Sequence, residues 1–195
     1  MNQATMKQAL KRFDALNAED PRRDEVDGES WPRELLYGQR MSAMLETFAP
    51  DAPEVVHLAA RAQHLRRWMI PREDYPKGRV GYHQWRTDLG RYHAEQADAV
   101  LAELGYDDQT RERVRTLLQK KGLKTDPDVQ LLEDVICLVF LQYYLEEFAG
   151  KHPREKVIRI LQRTWKKMSP EGQQYALSLN LPDSAQALVR EALAG

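Results

Sequence analysis

Hydrophobic positions recur every three to four residues along most of the chain, and proline, glycine and capping residues divide that rhythm into successive helices. Met6, Ala9, Leu10, Phe13 and Leu16 mark a short amphipathic N-terminal helix. The polar stretch from Asn17 to Ser30, rich in Asp, Glu and Arg, reads as a solvated loop. A second helix is predicted from about Pro32 to Phe48, with Tyr37, Met41, Met44, Leu45 and Phe48 on one face. Pro53 suits the first turn of a third, expected to run to about Trp68. Pro71, Pro76, Gly78 and Gly81 then punctuate a loop from Ile70 to Gly81.

A fourth helix is predicted from Tyr82 to Leu104, stopping at Gly105, and Asp107 or Asp108 can cap a fifth that ends at Gly122. Thr125-Asp126-Pro127 opens the most apolar segment, Val129 to Phe148. His152-Pro153 and Ser169-Pro170 start two more helices, and Asp183 with Gln186 resembles a capping box for the last. No stretch alternates convincingly with a period of two. The expected fold is all-α, a single compact domain of about eight helices over residues 1–195. Residues 1–31 form an N-terminal helix plus polar loop, and 32–195 form the core.

Composition narrows the class. The longest apolar run, Val135 to Leu141, falls far short of the ~18 residues of a membrane span, so no membrane partner is expected. The one cysteine, Cys137, excludes an internal disulfide and a cysteine-based zinc cluster. With a start that lacks a signal-peptide layout, this points to a cytoplasmic home. A net charge of −1 gives the whole chain no bias toward nucleic acid, which would need a local basic patch. Oligomeric state is open.

Charged groups inside apolar helical faces carry the chemistry. Glu133 and Asp134 sit in Leu131-Leu132-Glu133-Asp134-Val135-Ile136-Cys137-Leu138, where apolar residues point in nearly every direction. At least one carboxylate is expected to be buried or to line a cavity, needing a cation, a donor cluster or a raised pKa. A pair with arginine or a cap on a neighbouring helix would satisfy it equally. His93 falls in the apolar stripe of Trp85, Leu89, Ala97 and Val100. His57 and His64 are about 10.5 Å apart along one helix, too far to share an ion, so a mononuclear metal site must draw one ligand from each of several helices. Basic and aromatic groups in Arg66-Arg67-Trp68 and Arg79 to Arg86, with Lys124 further on, are of the kind that holds phosphate.

Several long motifs resemble one family. Glu34-Leu35-Leu36-Tyr37-Gly38-Gln39-Arg40-Met41-Ser42, Leu58 to Trp68, Tyr75-Pro76-Lys77-Gly78-Arg79-Val80-Gly81-Tyr82-His83-Gln84-Trp85-Arg86, Leu131-Leu132-Glu133-Asp134 and Thr164 to Pro170 look like domain of unknown function 4202. The order of helices, with Ala59-Ala60 ahead of His64 and a later acid, is also similar to the HD-domain metal-dependent phosphohydrolases. That resemblance implies an HD-like helical bundle with a divalent metal held by residues from separate helices. Here Tyr37 falls where the first histidine of that family would be, Gln63-His64 where its His-Asp pair would be, and Asp134 or Glu133 where its last aspartate would be.

The leading expectation is an HD-like metal-dependent hydrolase acting on a phosphorylated small molecule such as a nucleotide. His64, His93 and Asp134 would hold Mn, Fe or Zn, and Glu133 would act as general base. Arg67, Arg79, His83 and Lys124 would bind substrate. The alternative is a non-catalytic helical module for protein or RNA, its carboxylates paired with Arg40 or Arg61 and its histidines filling the core.

Overall fold

A computed structural model describes residues 3–194. Among them lie ten α-helices and one two-stranded hairpin, a predominantly all-α protein as the periodicity predicts. Two compact units are distinguished, Met1–Gly122 and Leu123–Gly195.

The N-terminal unit opens with α1 (Gln3–Asn17), followed by strands β1 (Arg23–Val26) and β2 (Glu29–Pro32). These pair antiparallel from Arg23↔Pro32 to Val26↔Glu29, in the region expected to be a solvated loop. Asp27 and Gly28 both have positive φ (51° and 81°), which is the two-residue turn that matches strand twist. The hairpin returns the chain to α2 (Arg33–Phe48), whose N-cap position, Pro32, offers no side-chain acceptor. Asp20 supplies one from outside the helix, accepting the Glu34 N–H at 3.1 Å.

Next comes α3 (Glu54–Ala62), in which Leu58, Ala59, Ala60 and Ala62 are fully buried. Its small side chains let it pack against α1, α2 and the later α5 (Asp108–Leu118). The expected continuation to Trp68 does not form. Arg66 adopts a left-handed conformation (φ 52°) and donates its N–H to the Asn17 side chain at 2.9 Å, so the chain breaks into short 3-10 turns over Arg67–Met69 and Arg72–Asp74. Arg72 braces this loop by donating to the carbonyls of Tyr75 and Pro76, both at 3.0 Å. The Trp85 indole donates to the Ile70 carbonyl at 2.9 Å and ties the loop to α4 (Arg79–Glu103), which packs along α5. Asp107 caps α5 by accepting the Thr110 N–H at 2.8 Å, in accord with its sequence position.

The C-terminal unit contains α6 (Pro127–Val139), a π-helical segment Phe140–Tyr144, α7 (Leu145–Lys151), α8 (Arg154–Lys167), α9 (Pro170–Ser178) and α10 (Asp183–Ala194). Asp126 and Ser169 cap α6 and α9, each just before a proline. Packing against α9 is close: a Cβ built on Gly172 would lie 2.8 Å from the Asp134 carboxyl carbon. Gly172→Ala is therefore expected to cost about 1–3 kcal/mol by overpacking, read as a lower denaturation midpoint at unchanged slope. A loss below 0.5 kcal/mol would show that Asp134 yields freely. No described helix is long and apolar enough to cross a membrane.

Candidate functional site

In the N-terminal unit a line of charged and polar groups runs inward from the hairpin. Arg22 donates to Asp20 at 3.0 Å and to Glu34 Oε1 at 2.8 Å. Glu34, only 3% exposed, places Oε2 3.0 Å from His64 Nδ1. Arg67 Nη1 lies 2.9 Å from His64 Nε2. A guanidinium can only donate, so Nε2 is the acceptor and the imidazole proton sits on Nδ1, donated to Glu34. The ring stacks on Tyr37 with centroids 3.8 Å apart, and Arg67 lies 4.9 Å above the Trp85 ring.

The electrostatics agree with that proton assignment. Burial, reinforced by the charges of Arg67 and Arg86, holds the His64 pKa well below that of a free histidine. Burial also pushes Glu34 up, against the opposing pull of Arg67 and Arg22. It lowers His93 to about 3, with His64 contributing in the same direction. Both imidazoles are thus neutral in the folded state over the physiological range.

Histidines depressed in this way bind a proton in the unfolded chain near pH 6.5 and in the folded unit only at lower pH. The N-terminal unit should therefore lose stability as pH falls below about 6.5, by up to a kcal/mol or so per pH unit for each histidine. The raised Glu34 opposes part of this loss nearer its own range. Denaturation at pH 7.5 and 5.5 checks the sign, and His93→Gln should flatten the slope. A slope unchanged by that substitution would contradict the assignment.

Beside His64 opens a cavity of about 320 Å³, walled by the end of α3, one face of α4 and the end of α5. Its lining includes Gln63, His64, Arg67, His83, Arg86, Arg91, His93, Lys120 and Lys121, and no lining residue is acidic. The positive walls meet because α4 and α5 approach closely at Gly90, where a Cβ would touch the Leu118 carbonyl at 3.4 Å. His93 is 3% exposed, and its Nδ1 donates to the Leu65 carbonyl at 2.8 Å. Its Nε2 has no hydrogen-bond partner among the described residues, and neither does Gln63 Oε1.

The family described as Domain of unknown function (DUF4202) matches residues 7–189, nearly the whole chain. The chain belongs to the DUF4202 family. No curated protein and no solved structure matches it.

In this DUF4202 protein the residues singled out from sequence are divided between the N-terminal and C-terminal units. His64, His93, Arg67 and His83 gather at the cavity of the N-terminal unit. Arg79 is exposed on the first turn of α4 and sits 3.4 Å from His83 Nε2. Lys124 belongs to the C-terminal unit, where it donates to the Met168 carbonyl at 3.4 Å. Glu133 and Asp134 are both 3% exposed, as their apolar setting predicts. Lys167 Nζ lies 3.4 Å from Glu133 Oε1. Asp134 accepts from the Ser169 N–H at 2.8 Å, from the Ser169 hydroxyl, and from Gln130 at 3.0 Å, and so secures the start of α9.

The expected metal ligands fit an ion poorly. Both His64 nitrogens are engaged by Glu34 and Arg67, and both Asp134 oxygens by Ser169 and Gln130. Among the described residues no group of three His, Cys, Asp or Glu is arranged to hold a metal. Glu34 is the residue that sequence reasoning missed. Its signal was present: it shares a helical face with Tyr37, Gly38, Met41 and Leu45, all buried.

Proposed function

We propose that the N-terminal unit binds a small phosphorylated molecule in the cavity between α3, α4 and α5. One observation carries this reading: the lining holds three arginines and two lysines and no carboxylate. Such a hollow attracts a multiply charged anion and repels cations. Arginine forks match phosphate geometry. Arg67 has five N–H donors, of which His64 accepts one, and Glu34 behind His64 fixes the orientation of that pair. The carboxylate provides counter-charge from outside the cavity without competing for the ligand. In this reading Arg67 and Arg86 grip the phosphate, and Lys120 and Lys121 supply further positive field from the end of α5.

Metal-dependent hydrolysis of such a phosphate, in line with the HD-like resemblance, is the second reading. His93 Nε2, which has no hydrogen-bond partner among the described residues, is the observation in its favour. One experiment weighs both. Thermal unfolding of the full chain is followed with sugar phosphates, nucleoside monophosphates and their unphosphorylated counterparts, each with and without Mn²⁺, while released phosphate is measured. At least one phosphorylated compound should raise Tm by roughly 5–10 °C at a hundredfold excess over Kd, without needing the metal. No shift with any of them would contradict the proposal. Phosphate release that requires Mn²⁺ and disappears in His93→Ala would place hydrolysis first.

A further inference from the structure

We infer that the ligand of this cavity is a phosphorylated polyhydroxy compound of the monosaccharide phosphate class, with two hydroxyl groups donated to His93 Nε2 and Gln63 Oε1. The inference rests on the phosphate-binding reading and adds the other end of the molecule. His93 and Gln63 line the cavity, are 3% and 5% exposed, and each has a buried acceptor atom without a partner among the described residues. Because His93 donates its Nδ1 proton to the Leu65 carbonyl, its Nε2 carries only a lone pair. Burial among cations keeps that nitrogen from taking up a proton.

Two buried acceptors on residues that line one hollow call for two donors, since each left unmet costs on the order of 1–3 kcal/mol. The dianion of a phosphate monoester offers only acceptors and cannot serve them. An ammonium or a metal cation could be held by such atoms, but Arg67, Arg86 and Lys121 in the same lining repel it. Neutral hydroxyls meet both demands. The ligand therefore has two chemically different ends, an anionic one for the guanidinium groups and a hydroxylated one for His93 and Gln63. A volume of about 320 Å³ is at the lower limit of small-molecule sites, which suits one sugar ring or a short polyol with its phosphate.

Calorimetric titration of the full chain tests this with ribose 5-phosphate, glucose 6-phosphate and glycerol 3-phosphate, against methyl phosphate, which carries no hydroxyl on carbon, as the comparator. At least one polyol phosphate should bind ten-fold or more tightly than methyl phosphate. His93→Phe and Gln63→Leu should each erase most of that advantage while leaving methyl phosphate affinity within two-fold. Equal affinity for polyol phosphates and methyl phosphate in the unmodified protein overturns the inference and leaves the phosphate cavity standing, whether or not the variants fold. Parallel loss of both ligand types in folded variants also overturns it. Binding of MnCl₂ alone that vanishes in His93→Phe reassigns His93 to a metal. Failure of every phosphorylated compound to bind removes the underlying reading as well.

Discussion

Alanine in place of Glu34 is expected to lower the stability of the N-terminal unit by about 3–5 kcal/mol, the usual consequence of removing one partner from a buried charged network. Glu34 is the centre of that network, with Arg22 on Oε1, His64 on Oε2 and its backbone N–H on Asp20. Its removal leaves the His64 Nδ1 proton without its acceptor and Arg67 without its nearest counter-charge, while Arg22 retains Asp20. Glu34→Gln should cost less. The amide preserves volume and an acceptor for His64, and it avoids the desolvation that pushes the Glu34 carboxyl up. The expected order in denaturant is wild type above Glu34→Gln above Glu34→Ala, with the alanine variant melting about 10 °C or more lower. A loss below 1 kcal/mol for alanine would show that Glu34 is dispensable to the fold.

Arg67→Ala should weaken binding of a phosphorylated ligand by about 2–5 kcal/mol, or roughly thirty-fold to several thousand-fold. Half-buried, it is stacked over Trp85 and positioned by His64, so little conformational freedom is left to lose when it grips an anion. Lys121 lies on the same cavity but is exposed. Water screens its charge, and Lys121→Ala should cost less than ten-fold. Arg67→Lys separates charge from geometry. Lysine keeps the positive charge but loses the planar fork that reaches His64 and phosphate together, so it should recover only part of the affinity. Calorimetry on the three variants checks this ranking, and equal losses at Arg67 and Lys121 would contradict it.

The helical succession was legible because its punctuation is local. Asp107, Asp126-Pro127 and Ser169-Pro170 announce helix starts within a few residues, and all three serve in the structure. The hairpin was not legible from periodicity, since its strands are four residues long and neither face is fully buried. Asp27-Gly28 was the signal for it. The end of α3 was hidden for a different reason. Leu65, Arg66 and Arg67 are sound helix formers, and a long-range bond from Arg66 N–H to Asn17 overrides them.

The candidate site was legible in part. His93 stood out as a polar group on an apolar stripe, and His64 with Arg67 as a basic, aromatic cluster. Their common setting was not, because the cavity is made by three helix segments far apart in sequence. Glu34 escaped because an acid in the first turn of a helix already has a sufficient local reason, the helix dipole. Burial of Asp134 followed from its neighbours, but its partner, the backbone of Ser169, lies 35 residues on. Nothing local to Asp134 marks that distance.

Phosphorus-31 NMR of ribose 5-phosphate with the unmodified chain and with Arg67→Ala tests most directly whether the cavity holds a phosphate. The expected result is a saturable shift or broadening of the phosphate resonance with the unmodified protein, strongly reduced by the substitution while the variant remains folded. A resonance unchanged by the unmodified protein, or changed equally by both, would contradict it.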